Sequence, residues 1–292
     1  MTALHETAYP RLKSQPTPED LVTVYTPNQE ELELVRSQTR QPTARLGFMV
    51  LLKTFQRLGY FVPIAEVPEA ILNHLMTCLE LKSQAAPLEN YDTSGTRQRH
   101  LKSIRDFLGI TPVSDTTLEF LKSALREAAT TKDEIPDIIN VGLESMAKAR
   151  YELPAFGTFV REAKAARAQV NRELFEAVYH DLSESAKTRI QEVLTPPTKT
   201  SQSKSLWDLI KQEPRKPTVS NVKEFVDHLR WLRTFDDCLP KDLMLPAPKL
   251  KRFVIEARAL NVANMNELAE HKRYALAALF IRAQTGKASD DI

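Results

Sequence analysis

The sequence predicts an all-α protein. Its 292 residues include only 7 glycines, and the helix-favouring residues Leu, Ala, Glu, Lys and Arg are abundant. Alternating β-branched runs, which are typical of strands, are few. Hydrophobic residues make up 42% of the composition, which is enough for packed cores. We therefore expect tandem helical bundles, the first of them over residues 1–85.

The first bundle is predicted from helix start and stop signals. Thr17 and Thr26 each precede a proline, so each can cap a helix that has proline at its first position. The segment 42–58 is apolar enough to be a core helix, and the glycine that follows can end it. A further helix is expected at about 68–81.

The second predicted domain, residues 86–195, opens with TSGTRQRHLKSIRDFLGI at 93–110. Thr93 or Ser94 can cap this helix, Gly109 can end it, and Leu101, Ile104 and Leu108 share one face. Two more helices are expected at about 115–129 and 134–150. Three short helices with brief turns favour a helix-turn-helix unit, and two or three more helices, the last capped by Ser183, complete the domain.

The helix at 93–110 has positive charge where its dipole favours negative charge. On a helical wheel, most of its basic residues lie opposite the apolar face. A solvated charged face and a phosphate-binding face are both compatible with this pattern. The candidate contact residues are Arg97, Arg99, His100, Lys102 and Arg105.

Residues 196–204, which contain two prolines and no apolar residue, are the predicted linker to a third helical region at 205–292. Helices are expected at about 206–213, 221–235 and 249–260, and Asn264 with Glu267 forms a capping-box pattern before a final helix. That final helix is apolar almost all round. Either the preceding helices enclose it, or its covering partner is absent from this chain.

The helix at 221–235 has two apolar sides. Val222, Phe225, Val226, Leu229 and Leu232 form one, and Trp231 and Phe235 lie outside it. The second side indicates either contact with an adjacent helix or a surface for a protein or nucleic acid. Further basic residues at turns and helix ends, where DNA phosphate could be met, are Arg215, Lys216, Arg230, Arg233, Lys249, Lys251 and Arg252.

Composition argues against several other classes of protein. The formal net charge is +2, so any basic surface is local. No apolar run approaches the roughly twenty residues of a membrane span, and the N-terminus lacks the apolar core of a signal peptide, so we expect a cytoplasmic protein. Neither the six histidines nor Cys78 and Cys238 show metal-ligand spacing, and no phosphate-cradling glycine-rich loop is present. We expect no catalytic centre, no metal and no cofactor.

An ordered series of short blocks resembles a known family. The blocks are RLGYF (57–61), RQRH (97–100), IRDFLG (104–109), LPAF (153–156), VNRELF (170–175), FVIEARAL (253–260) and RYAL (273–276). Together they resemble the N-terminal region of the replicative transposases of the Tn-three family, the large DDE enzymes of class II bacterial transposons.

The resemblance implies a function as well as a fold. It implies recognition of the terminal inverted repeats of a transposon by tandem DNA-binding domains of the helix-turn-helix or centromere-protein-B kind. The partner is then double-stranded DNA, the location is nucleoid-associated, and the anion facing the helix at 93–110 is DNA phosphate. The family's catalytic carboxylates belong to an RNase H-like domain without counterpart here. The chain is therefore expected not to be an enzyme, and its third region is expected to continue into a larger one.

A second function, from another class, is also compatible with the sequence. The Trp231 side and the final helix could belong to a helical module that oligomerises or binds another protein and so regulates transposition. Self-association without DNA binding would distinguish this alternative.

Overall fold

The computed structural model of the chain describes residues 4–81, 88, 90–196, 205–214, 216, 218–236, 239 and 245–290. These residues form fourteen α-helices and no β-strand, and one isolated bridge pairs Thr111 with Tyr151. The predicted all-α class is confirmed. The helix-turn-helix character of its units stays a prediction. Except for Pro196, the predicted linker at 196–204 lies outside the described residues, as does Cys238.

The chain divides into two compact units. Unit 1 comprises Met1–Leu125 and Pro136–Glu162, and unit 2 comprises Arg126–Ile135 and Ala163–Ile292. Each unit has a hydrophobic core of its own. Helices α6, α7 and α8, whose bounds follow, contribute residues to both units.

Unit 1 takes its helices mainly from the first half of the chain. They are α1 (Pro18–Asp20), α2 (Gln29–Gln38), α3 (Pro42–Leu58), α4 (Glu69–Cys78), α5 (Gly95–Leu108), α6 (Asp115–Thr131) and α7 (Ile135–Lys148). Short 3-10 turns at Leu4–Glu6 and Ile64–Glu66 and a π turn at Leu21–Tyr25 accompany them.

Helix α3 is the centre of unit 1, as its apolar sequence predicts. Eleven of its residues are buried, and it ends at Gly59, whose φ of 75° suits a residue without a side chain. Gly47 is needed for close packing, because a Cβ there would lie 2.5 Å from Cζ of Tyr91. The ring of Tyr91 thus packs directly against the backbone of α3 at Gly47.

The hydrophobic core of unit 1 continues across the domain boundary that was predicted after residue 85. Leu101 and Ile104 of α5 are 6% and 0% exposed and belong to the same cluster as the apolar face of α3. Because α5 completes the core of α3 and α4, the first predicted domain and the start of the second form one packed unit.

Local capping signals are right at α1 and misplaced at α2. The Thr17 side chain accepts a hydrogen bond from the Asp20 amide and forms a capping box with it, as expected of a residue before Pro18. The cap of α2 is Asn28 and not Thr26, because Asn28 forms a capping box with Glu31 and leaves the second proline outside the helix.

Unit 2 is built around its last helix. Its helices are α8 (Phe156–Asp181), α9 (Glu184–Val193), α10 (Leu206–Ile210), α11 (Val219–Arg233), α12 (Ala247–Ala259), α13 (Val262–Asn266) and α14 (Glu270–Asp290), with Ser183 capping α9 as predicted. α14 packs against α9, α11 and α12, and its residues from Ala275 to Ile281 are at most 2% exposed. The preceding helices therefore enclose the apolar segment of the final helix, whereas Arg282, Gly286 and Lys287 farther along it are exposed.

One predicted cap in unit 2 is wrong. Asn261, not Asn264, is an N-cap, and it begins the short helix α13 by accepting a hydrogen bond from the Asn264 amide. Glu267 is the residue that ends α13. The predicted capping box of Asn264 and Glu267 therefore lies at α13 and does not begin the final helix.

Candidate nucleic-acid interface

Helix α5 carries the predicted basic cluster and has the predicted ends. The Ser94 side chain accepts a hydrogen bond from the Arg97 amide, and Gly109 adopts a left-handed conformation with φ of 63°. No acidic residue occupies the first turn. The local sequence thus accounts for the helix, and the surroundings decide what each basic side chain contacts.

His100 is a core residue. It is 5% exposed, its Nδ1 lies 2.5 Å from the Tyr91 hydroxyl oxygen, and its ring centroid lies 5.0 Å from that of Phe48. Burial, with a smaller contribution from the charge of Arg99, lowers the pKa of His100 to about 4. The imidazole is therefore neutral at pH 7 and faces the protein interior, so His100 is not a surface contact.

Arg97 and Arg105 are occupied within unit 1. Arg97 Nε lies 3.1 Å from Asp92 Oδ1, and the Arg97 side chain is only 14% exposed. Arg105 Nε donates to Glu152 Oε2 at 2.8 Å, and its guanidinium lies 5.0 Å from the centroid of the Phe61 ring. Each of the two arginines is therefore paired with a carboxylate that comes from outside α5.

Arg99 and Lys102 are the basic side chains of α5 that remain exposed. Arg99 Nη2 donates to Thr96 Oγ1 at 3.1 Å, and neither residue has a carboxylate partner among the described residues. They lie on the helix surface away from Leu101 and Ile104, which are buried. This exposed pair is the candidate anion-binding face of unit 1.

The predicted contacts at α11 are mostly exposed. Arg215 lies outside the described residues. Lys216 and Arg233 are exposed, and Arg230 is 75% exposed but its Nη1 donates to Asp227 at 2.8 Å. An exposed pair of this kind is weak and can exchange for a phosphate at little cost.

The second apolar side of α11 is a packing surface. Phe235 is 1% exposed, Trp231 is half-buried, and their ring centroids are 5.6 Å apart in a T-shaped arrangement within the core of unit 2. Contact with adjacent helices therefore explains both residues. Val222, assigned to the apolar face, is instead 48% exposed.

The three predicted contacts of α12 differ in exposure. Lys249 is 0% exposed, and its Nζ donates to Asp133 Oδ1 at 2.9 Å and to Asn171 Oδ1 at 2.6 Å. Burial lowers the pKa of Lys249, and the bond to Asp133 opposes that shift. Lys249 is thus a structural residue and not a surface contact, whereas Lys251 is exposed and the Arg252 side chain is 54% exposed.

Arg252 lines a cleft that the sequence did not indicate. The cleft has a volume of about 550 Å³ and lies between α8, α12 and the start of α14. Its basic lining residues are Arg167, Arg172, Arg252, His271 and Lys272. They come from three helices far apart in the chain, so no local spacing or charge run could have grouped them.

Neither a membrane span nor a metal site is found in the part of the chain that the structure describes. None of its helices is both long and apolar enough to span a membrane. No three His, Cys, Asp or Glu side chains within it converge to hold a metal ion.

Comparisons with known proteins give a consistent result. The family described as "Domain of unknown function (DUF4158)" matches residues 1–166. The transposase for transposon Tn501 of Pseudomonas aeruginosa is 26% identical over 278 residues, which is 94% of this chain and 27% of that protein. The transposase for transposon Tn1546 of Enterococcus faecium is 23% identical over 281 residues, covering 94% and 28%. The chain thus spans about a quarter of the length of these curated relatives.

Proposed function

The chain belongs to the DUF4158 family and corresponds to the N-terminal region of a Tn-three family transposase, and from this premise we propose that it binds duplex DNA at the terminal inverted repeats of a transposon. It does so as a recognition region, and the chemistry of strand transfer is supplied outside it. Binding takes place in the bacterial cytoplasm, at DNA of the nucleoid.

The exposed face of α5 is the observation that supports this proposal most. Arg99 and Lys102 project from a helix whose other side is fixed in the core, and no described carboxylate neutralises them. Arginine and lysine held in this way bind phosphate oxygens by charge-assisted hydrogen bonds. Because the net charge of the chain is only +2, such local unneutralised cations are what the chain can offer to DNA.

Exposed cations of unit 2 extend the proposed contact set. They are Lys216, Arg230, Arg233, Lys251 and Arg252. Contacts of long basic side chains to phosphate hold a protein on the duplex without reading its sequence. The preference for terminal repeats requires base-edge contacts in addition.

Fluorescence anisotropy with two labelled duplexes tests the proposal. One duplex carries the terminal inverted repeat and the other has the same composition in scrambled order. We expect tighter binding to the repeat, and affinity that falls steeply with salt. Contacts to about six phosphates give a log-log slope near −5. A slope of zero contradicts electrostatic binding, and equal affinity for both duplexes contradicts sequence recognition.

The alternative of an oligomerisation module loses its two supports. It depended on an uncovered final helix and on the Trp231 side of α11. The apolar segment of α14 from Ala275 to Ile281 is enclosed within unit 2, and Phe235 is buried beside Trp231.

A further inference from the structure

We propose that the cleft of unit 2 between α8, α12 and the N-terminus of α14 is a phosphate-binding site. In the transposase this phosphate belongs to the backbone of bound DNA, and that second step rests on the function proposed above. The cleft is distinct from the α5 face, which belongs to unit 1.

The charge of the cleft is strongly positive. Two carboxylates, Asp133 and Glu256, lie among its lining residues. Five basic side chains stand against them, which leaves three positive charges with His271 taken as neutral. These five are Arg167, Arg172, Arg252 and Lys272 in the lining and Lys249 beneath it.

Both carboxylates of the cleft are already occupied. Asp133 Oδ1 accepts from Lys249 at 2.9 Å and from Asn171 Nδ2 at 3.2 Å. Glu256 Oε1 lies 2.7 Å from Lys272 Nζ. Each carboxylate of the cleft is therefore already paired with a lysine.

The three arginines keep donors without a carboxylate at hydrogen-bond distance among the described residues. Arg252 Nε lies 3.9 Å from Asp133 Oδ2, which is beyond that distance. Arg167 donates to the Asp133 carbonyl at 3.2 Å, and Arg172 donates to Gln169 Oε1 at 3.3 Å. Guanidinium groups in this state can each grip phosphate oxygens with two donors.

The start of α14 adds backbone donors to the same cleft. Ala269, His271 and Lys272 line it, and α14 begins at Glu270. Ala269 has no side-chain acceptor, so it cannot cap the orphan N–H groups of the first turn. The Glu270 carboxylate accepts from the Tyr179 hydroxyl at 3.1 Å. The positive end of a 21-residue helix thus meets the arginines of two other helices.

The buried pair of Lys249 and Asp133 makes the cleft preorganised. Lys249 and Asp133 are 0% and 5% exposed, and Asn171 joins them by hydrogen bonds to both. Phe175 and Phe253, with centroids 4.6 Å apart, form the apolar part of the wall. This network fixes the floor of the cleft, so less of the site has to become ordered when a phosphate enters, which lowers the entropic cost of binding.

The test compares two double variants of the full 292-residue chain that lose the same charge. R172Q/R252Q removes two exposed arginines of the cleft. K122Q/K148Q removes two exposed lysines of unit 1, each of which is already paired with a glutamate at 2.7 Å. Anisotropy measures binding to the repeat and scrambled duplexes, and calorimetry measures binding of inorganic pyrophosphate. Circular dichroism checks that each variant is folded, and K272Q serves if R172Q/R252Q is not.

We expect R172Q/R252Q to weaken binding of both duplexes by about tenfold and to flatten the salt slope by about two. It should also abolish pyrophosphate binding. K122Q/K148Q should change neither by more than about twofold.

The outcomes separate this inference from the proposed function. If the wild-type chain binds DNA and R172Q/R252Q behaves like the control, the cleft is not a phosphate site and the proposed function stands. If the chain binds neither duplex but loses pyrophosphate binding in R172Q/R252Q, the site holds free phosphate and the DNA function fails. If the wild-type chain binds neither duplex nor pyrophosphate, both proposals are wrong.

Discussion

The α5 face and the cleft of unit 2 are two basic regions of opposite origin. α5 carries five basic side chains within nine residues, which makes it the most visible charge cluster in the sequence. Three of them, Arg97, His100 and Arg105, are used inside unit 1. The cleft has no visible charge run, yet its cations outnumber its carboxylates by three. Charge density along the chain is therefore a poor guide to charge that a ligand can use.

The difference lies in where the neutralising groups are. Around α5, Asp92 and Glu152 come from neighbouring segments and pair with the arginines that face them. In the cleft, the carboxylate of Asp133 is taken by the buried Lys249, which has no access to water. A buried cation needs its counter-ion more than an exposed one does, and the exposed Arg252 is left with its Nε 3.9 Å from Asp133 Oδ2, beyond hydrogen-bond distance.

The largest expected effect concerns the buried ion pair of Lys249 and Asp133 in the cleft. Asp133→Ala leaves the buried ammonium of Lys249 without its carboxylate, so we expect a loss of about 3–5 kcal/mol in the free energy of unfolding. Urea denaturation measures it. Asp227→Ala, which breaks the exposed pair with Arg230, is the control and should cost less than about 1 kcal/mol. Equal losses in the two variants would mean that the buried pair does not support the cleft.

The second prediction concerns how the stability of the chain depends on pH through the buried His100 of α5. Because the pKa of His100 is about 4 in the folded chain and near 6.5 when unfolded, the unfolded state binds the proton between these values. Stability should therefore rise by about 3 kcal/mol as pH increases from 4 to 6.5, and this contribution is fully present above that range.

His100→Gln isolates this contribution. The wild type minus variant difference in urea stability should carry the pH dependence, since all other groups cancel. A difference that stays constant from pH 4 to 7 would place His100 in contact with water and return it to the DNA-binding candidates.

The smallest expected effect on stability distinguishes the exposed cations of α5 from those that are paired with a carboxylate of unit 1. Arg99→Ala with Lys102→Ala should change the unfolding free energy by no more than about 0.5 kcal/mol, yet weaken DNA binding roughly tenfold. Arg105→Gln should do the reverse, costing about 1 kcal/mol through the partly buried pair with Glu152 and leaving DNA affinity nearly unchanged. Thermal melting and anisotropy on the same samples measure both. Loss of DNA binding in Arg105→Gln alone would show that the faces are assigned wrongly.

Local signals predicted much of the fold. The spans of α3 and α5 and the left-handed glycines that end them follow from apolar spacing and from the lack of a side chain at Gly59 and Gly109. Errors arose where two signals competed. At α2, Asn28 caps in place of Thr26, since its capping box with Glu31 satisfies two backbone donors at once. The Asn264 pattern failed for a similar reason, because Asn261 already begins α13.

The candidate site was less predictable than the helices that carry it. Histidine and lysine are residue types that often contact DNA at a protein surface, so the sequence did not show that His100 and Lys249 are buried. Their burial depends on Tyr91, Asp133 and Asn171, which lie elsewhere in the chain. Arg99 and Lys102 were predicted correctly as outward, because helical period places them opposite Leu101 and Ile104.

The sequence by itself determined the all-α class, most helix bounds and the family, because propensity, capping and ordered motifs act over a few residues. The tertiary structure alone decided that α3 and α4 share a core with α5, that the apolar segment of α14 is enclosed, and which cations lack a carboxylate at hydrogen-bond distance. It also brought Arg167, Arg172, Arg252 and Lys272 together from three helices. The physical reason is that burial and charge pairing depend on distance in space, and packing brings together side chains from helices far apart along the chain.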